Sequence, residues 1–203
     1  MRLWKLFSFL LLLAPLSAMA QIGIYGEFSS THINAPMEPQ MYGVTFGGYY
    51  NKHVFSKMPF LSLGPDFRLT MQSGSSKNVG LGGPPAQSIL FASTGPRFAF
   101  KLPYARLHPY VEGLAGAGNS QIGEVYNDSY SRFHPGVFAN SGDKNGGASF
   151  EAQALGGVDF AIKPRVDWRV VEFGYTKMFS TGTNYRYGVD TLSTGIVVRI
   201  PSH

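Results

Sequence analysis

The sequence predicts an all-β protein, an eight-stranded antiparallel up-and-down transmembrane β-barrel. Three observations carry that prediction. The first is a two-residue alternation of apolar and polar side chains that recurs about eight times, clearest at Leu61-Ser62-Leu63-Gly64-Pro65-Asp66-Phe67-Arg68-Leu69-Thr70-Met71-Gln72. In a strand, successive side chains point to opposite faces, so one face here is apolar and the other carries Asp66 and Arg68. The second is an export signal ahead of these repeats. The third is composition: 25 glycines, 14% aromatics and no cysteine in 203 residues. Strands that are apolar on one face and charged on the other suit a closed barrel, whose outer wall meets lipid while the polar face lines the lumen.

Residues 1–20 read as a secretory signal peptide. Arg2 and Lys5 supply the positive start, Leu6 to Ala14 the apolar core, and Ala18-Met19-Ala20 an A-x-A cleavage site. The apolar run is too short for a membrane span of about 20 residues. Cleavage after Ala20 leaves 21–203 as a single barrel domain. No later run is long and apolar enough for a transmembrane helix, so any spanning structure is β.

Of the 17 Lys and Arg, Arg2 and Lys5 lie in the leader, and the 15 that remain stand against 12 Asp and Glu. That weak positive balance, with no basic cluster, does not point to nucleic acid. Without cysteine there is no disulfide or thiolate metal site, and stability rests on packing and a closed hydrogen-bond ladder.

Each strand follows from its pattern. The first, 21–30, sets Ile22, Ile24, Gly26 and Phe28 against Tyr25 and Glu27. The second, 41–50, directs Tyr42, Val44, Phe46 and Tyr50 outward. The third is 60–72. The fourth, 87–102, places Leu90, Ala92, Thr94, Phe98 and Phe100 outward and Ser93, Arg97 and Lys101 inward. The fifth, 108–118, opposes Val111, Gly113, Ala115 and Ala117 to Tyr110 and Glu112. The sixth, 149–162, opposes Phe150, Ala152, Ala154, Val158, Phe160 and Ile162 to Glu151, Gln153 and Asp159. The seventh, 168–178, opposes Val171, Phe173 and Tyr175 to Glu172 and Thr176. The eighth, 188–200, opposes Leu192, Thr194, Ile196, Val198 and Ile200 to Ser193 and Arg199.

The connections alternate too. Those after odd strands are Gly-, Ser- and Asn-rich, and 119–148 exceeds ordinary loop length. Those after even strands are mostly shorter and carry Pro and basic residues. Long loops outside and short turns in the periplasm are the habit of outer-membrane barrels, and eight strands return both termini to the periplasmic side. One irregularity stands out. Gly64-Pro65 and Gly95-Pro96 fall symmetrically about the loop near Gly80, so they face each other in one hairpin. Proline cannot donate to a ladder, and this predicts a bulge or a gap in the wall.

The alternating strands, Gly95-Pro96-Arg97-Phe98, Pro109-Tyr110-Val111-Glu112-Gly113, Gly156-Gly157-Val158-Asp159-Phe160 and the closing Thr194-Gly195-Ile196-Val197-Val198-Arg199-Ile200 resemble the small eight-stranded outer-membrane barrels of the OmpA/OmpX type. The resemblance is closest to the stand-alone outer membrane protein β-barrel domain proteins of Gram-negative bacteria. It covers the whole mature chain and implies outer-membrane residence, lipid contact, and passage through periplasmic chaperones and the barrel assembly machinery as a monomer. The chain departs from the pattern at its end: such barrels commonly finish on an aromatic residue, whereas Ile200 is followed by Pro201-Ser202-His203.

An eight-stranded barrel is just wide enough for its lumen to fill with side chains. The predicted lumen charge network is Asp66, Arg68, Arg97, Glu112, Glu151, Asp159, Glu172 and Arg199, with Glu27 also inward. Asp66 with Arg97 and Arg97 with Glu112 are the expected pairs; the functional alternative is a narrow ion path. Tyr42, Tyr50, Phe60, Tyr104, Trp168, Tyr175, Phe179, Tyr185 and Tyr187 suit interfacial girdles. Tyr126, Tyr130, Phe133 and Phe138 in the longest loop are the candidate contacts for an extracellular partner that the sequence does not name.

No nucleophile elbow, phosphate loop or paired metal-spaced histidines occur. Accordingly no catalytic residue, cofactor or metal is predicted. Function therefore reads as a non-enzymatic envelope or adhesion barrel, with three alternatives. The first is a small pore. The second is a lipid A-modifying enzyme, for which Ser30 with His32 is the local candidate but lacks a third member. The third is a soluble lipocalin-like binder, for which the Gly-x-Trp signature is lacking because Val166 and Asp167 precede Trp168.

Overall fold

The computed structural model describes residues 21–34, 40–52, 58, 60–75, 86–102, 106–121, 146–180 and 186–201. They form eight antiparallel strands: β1 (Gln21–Asn34), β2 (Gln40–Asn51), β3 (Leu61–Ser75), β4 (Ala86–Phe100), β5 (Leu107–Gln121), β6 (Gly146–Lys163), β7 (Val166–Ser180) and β8 (Arg186–Pro201). Each pairs with its sequence neighbours, and β1 closes on β8 from Gln21↔Pro201 to Asn34↔Gly188. No edge is left for another strand to pair with.

Most strands run further than the sequence pattern suggests, chiefly at the ends joined by the longer loops. There Gly, Ser and Asn still carry ladder bonds although they offer no apolar face. His32, expected in a loop, therefore sits inside β1. The end of β4 moves the other way: Lys101 lies past the strand and is exposed, not inward. The expected turn 163–167 tightens to Pro164-Arg165, which brings Asp167 into β7.

The outer wall is apolar. Ile24, Phe28, Phe46, Phe67, Phe150, Phe173, Tyr175 and Ile196 are all exposed, with Phe173 63% exposed. In water such a surface would be a strong aggregation liability; facing lipid, it is the expected band of a transmembrane barrel. Of the predicted girdle, Tyr42, Phe60, Trp168, Tyr175 and Phe179 are exposed and Tyr50 is half-buried. Tyr104, Tyr185 and the Tyr187 side chain lie outside the described residues.

The two Gly-Pro pairs do face each other, Pro65↔Pro96, but the β3–β4 ladder runs without a register shift from Leu61↔Phe100 to Ser75↔Ala86. The expected bulge is absent there. Pairing instead lapses on the far side of each proline. The β2–β3 register stops at Tyr49↔Asp66 and resumes at Lys52↔Leu63, and β4–β5 skips from Thr94↔Ala115 to Arg97↔Glu112. In an antiparallel pair each residue's N–H points to one neighbour only. A proline whose missing N–H is directed away from its partner proline interrupts the outer ladder and spares the inner one. The preceding glycines have their own reason: a Cβ at Gly64 would land on the Tyr50 carbonyl, and one at Gly95 on the Gly113 carbonyl.

Apart from a register shift between Ala161 and Lys163 beside the β6–β7 turn, a bulge lies instead in β7. Its pairing with β6 passes from Val158↔Val171 to Asp159↔Arg169, and with β8 from Arg169↔Gly195 to Glu172↔Ser193. One extra residue at Val170-Val171 turns both Arg169 and Glu172 inward. Thr194 stitches the bulge: its hydroxyl donates to the Arg169 carbonyl at 2.9 Å and accepts from Trp168 Nε1 at 3.2 Å.

Candidate functional site: a charged plug across the lumen

The lumen is filled in tiers. At the end bearing the termini, Tyr25, Tyr49 and Val197 pack together. At the opposite end Ile33, Met41, Ile89, Phe91, Met178 and Val189 form an apolar plug. Between them lies a network of three arginines and five carboxylates, contributed by β1 and by β3 through β7, all buried.

Arg68 is the first hub. Its Nη1 and Nη2 donate to Glu172 Oε1 and Oε2 at 2.6 and 2.7 Å, a fork-to-fork pair. Nη2 also reaches Glu112 Oε2 at 2.6 Å, and Nε reaches Asp66 Oδ1 at 3.3 Å. Arg97 donates to Glu112 Oε1 and, at 3.0 Å, to Asp159 Oδ2. Arg169 donates to Glu27 Oε1, to Asp159 Oδ1 at 2.9 Å and to Glu172 Oε2 at 3.4 Å. Tyrosines complete the shell. Tyr25 and Tyr110 hydroxyls donate to Asp66 and Glu172, each at 2.6 Å. The Arg97 guanidinium stands 3.7 Å from the Tyr110 ring centroid and 4.2 Å from that of Tyr49. Such stacking recovers some of the attraction that a guanidinium loses on leaving water.

Of the predicted network, Asp66, Arg68, Arg97, Glu112, Asp159 and Glu172 come together. The Arg97–Glu112 pair is made; Asp66 turns to Arg68 and Tyr25, not to Arg97. Two residues stand apart. Glu151 accepts from Ser93 Oγ, with Gly116 leaving the room that this bond needs. Arg199 sits at the rim, where it donates to Asp167 Oδ1 at 2.6 Å, with His108 Nδ1 3.9 Å from the same carboxylate. Tyr126, Tyr130, Phe133 and Phe138 lie outside the described residues.

Arg169, fully buried, escapes the sequence reading. Strict alternation puts it on the lipid face with Val171 and Phe173. A signal was present nonetheless: strict alternation sets Arg169 on the lipid-facing wall, where charge is disfavoured, and Glu172 inward, and both can reach the lumen only if the alternation breaks between them.

The plug leaves little space. A cavity of about 30 Å³ remains between the network and the apolar tier, lined in part by Thr45, Arg68, Gln72, Glu151 and Glu172. That is room for about one water. With five carboxylates to three guanidinium groups, the network carries an excess of acid. Two of its oxygens, Glu27 Oε2 and Asp66 Oδ2, have no partner among the described residues.

A second feature lies on the outer wall. A groove of about 600 Å³ is lined by Ser30, His32, Ala154, Phe173, Tyr175, Asp190 and Leu192, among others. Register sets these in two rows: Ala154, Tyr175, Asp190 and His32 in one, Gly156, Phe173, Leu192 and Ser30 in the next. Asp190 thus lies directly opposite His32, the carboxylate missing from the sequence reading. Ser30 Oγ accepts from Gln40 Nε2 at 3.3 Å. Among the described residues no hydrogen bond links Ser30, His32 and Asp190 to one another.

No protein-family model matches the sequence, and no curated protein does. Solved structures do match in fold. The attachment invasion locus protein Ail of Yersinia pestis is 10% identical, with a TM-score of 0.52 over 89% of this chain and 99% of that one. Its complex with the heparin analogue sucrose octasulfate matches at 11% identity and 0.53, over the same shares. The outer membrane enzyme PagL matches at 12% identity and 0.47, over 85% of this chain and 98% of that one. The fold is that of the small eight-stranded outer-membrane barrels.

Proposed function

We propose that the chain is an outer-membrane barrel that acts as a closed, non-conducting scaffold. Its termini and the connections after even strands face the periplasm, and the connections after odd strands lie outside. The carrying observation is the plug: Arg68, Arg97 and Arg169 tie six strands together across the lumen through buried ion pairs. An ion would have to displace charge-assisted bonds of 2.6–3.0 Å to pass. What such a scaffold offers the cell is its wall and its loops, with Tyr126, Tyr130, Phe133 and Phe138 as contact points for an extracellular partner. Likeness in fold to an attachment protein supports that role without fixing a partner. The test is conductance of the purified protein in planar bilayers. The scaffold gives a silent membrane; discrete, reproducible current steps refute it and favour the pore.

One observation favours a second reading, an acyl-ester hydrolase acting on outer-leaflet lipid. Register supplies Asp190 opposite His32, with Ser30 one row away in the same groove. In that reading Ser30 Oγ attacks the ester carbonyl as His32 takes its proton, the ester C–O bond breaks and the alcohol leaves with that proton, and water then hydrolyses the acyl-enzyme, with Asp190 orienting the imidazole. Labelling by a fluorophosphonate, read as an intact-mass increase that Ser30→Ala abolishes, supports this reading; an unlabelled protein excludes it.

A further inference from the structure

The end of the barrel that carries the termini is ringed by cations. Lys52 follows β2, Lys101 and Arg106 flank the β4–β5 turn, and Lys163 and Arg165 flank or form the β6–β7 turn. Lys101, Arg106, Lys163 and Arg165 are exposed and Lys52 is half-buried. None of the five makes an ion pair among the described residues. The single described carboxylate at this rim, Asp167, is buried and already bound to Arg199. Across the described residues the only exposed carboxylate is Asp190, toward the other end.

The placement of the cations narrows the partner. They come from all three connections at this end, β2–β3, β4–β5 and β6–β7, and so are spread around the barrel. A compact protein partner would need them on one side. They also stand just beyond exposed apolar residues of the same rim: Phe60, Leu102, Leu107, Ile162, Trp168 and Ile200. Long basic side chains one step past an apolar band sit at headgroup depth. Anions that encircle a barrel at that depth are lipid phosphates.

We infer that this rim is a belt for anionic phospholipid headgroups, selecting them from the surrounding leaflet. The inference rests on the reading of the chain as a lipid-embedded barrel. Each cation near an anionic surface favours association by about fivefold at low salt, and the effect fades within a Debye length.

The protein carries its own reporter. Once residues 1–20 are removed, Trp168 is the only tryptophan, and it lies on the outer wall three residues beyond Arg165. The mature chain is refolded into phosphatidylcholine vesicles, and brominated phosphatidylglycerol or brominated phosphatidylcholine is titrated in as the quencher. The expected result is several-fold stronger quenching per mole fraction by the brominated phosphatidylglycerol. That preference collapses toward one in 1 M salt and in a Lys163→Gln/Arg165→Gln variant. Equal quenching by the two lipids at low salt overturns the inference, as does a preference that the variant retains. A chain that inserts in neither vesicle and shows no heat-dependent gel shift fails earlier, at the barrel itself, a separate and recognisable outcome.

Discussion

Removing Arg169 tests the plug at its most connected point. Arg169→Met keeps the bulk of the stem and deletes the charge. Its three acidic partners then fare differently. Asp159 keeps Arg97 and Glu172 keeps Arg68, whereas Glu27 loses the only ion-pair partner it has among the described residues. Glu27 already has one unpartnered oxygen, so the substitution leaves a buried, uncompensated carboxylate. Breaking a buried pair from one side costs about 3–5 kcal/mol. At about 1.4 kcal/mol per tenfold, that is a loss of about two to three and a half powers of ten in the folding equilibrium. Glu27→Gln alone should cost no more than about 1.5 kcal/mol, since Arg169 retains Asp159 and Glu172 and the amide oxygen still accepts. The double variant should then recover about 2 kcal/mol of the Arg169→Met loss, a coupling typical of residues in one network. The assay is urea unfolding in detergent micelles, followed by Trp168 fluorescence and by heat-modifiable gel migration. An Arg169→Met barrel as stable as the parent refutes the reasoning, and so does strict additivity of the two substitutions.

Other outcomes follow from geometry elsewhere. Gly95→Ala should destabilise by about 1–3 kcal/mol, because its Cβ meets the Gly113 carbonyl, whereas Gly113→Ala, with open space around it, should be neutral by the same unfolding assay. Phe28→Arg, midway along β1 on the outer wall, should cost about 2–4 kcal/mol in vesicles, while His32→Arg near the strand end should cost at most about 1; equal costs would mean that the wall does not face a bilayer. Thr194→Val removes the bond to the Arg169 carbonyl and should cost about 1 kcal/mol in the same measurement, with a shift in Trp168 emission as its indole loses a partner.

The fold was legible because a barrel imposes one rule on every strand. From Ile22 to Ile200, parity alone separates lipid-facing from lumen-facing residues, and the only long failure is where β7 inserts a residue. That failure hid Arg169 and with it the partner of Glu27. Register was not legible, since the pattern says which face a residue takes but not how far a strand slides. Hence Asp66 was matched with Arg97, although the ladder sets Asp66 opposite Gly95 and leaves Arg68 to reach it along its own strand. The outer groove was half visible for the same reason. Ser30 and His32 share one strand and one face, but Asp190 is 158 positions further along the chain and reaches them only through closure of β1 on β8. The loop aromatics rest on composition alone.

The plug also sets the order in which the barrel can be made. Arg169 bonds to Glu27 across a separation of 142 residues, and Arg68 to Glu172 across 104. Neither bond can form while the sheet is open, because the two groups belong to opposite arms of an unrolled ribbon. Local hairpins can assemble early and bring their own pairs, Arg97 with Glu112 and Arg169 with Asp159; the long-range pairs Arg169–Glu27 and Arg68–Glu172 form only as the ribbon curls shut. Contacts that far apart in sequence come late and slow folding. Until then eight charges must stay wet, so the last step of closure is the moment when the lumen dries.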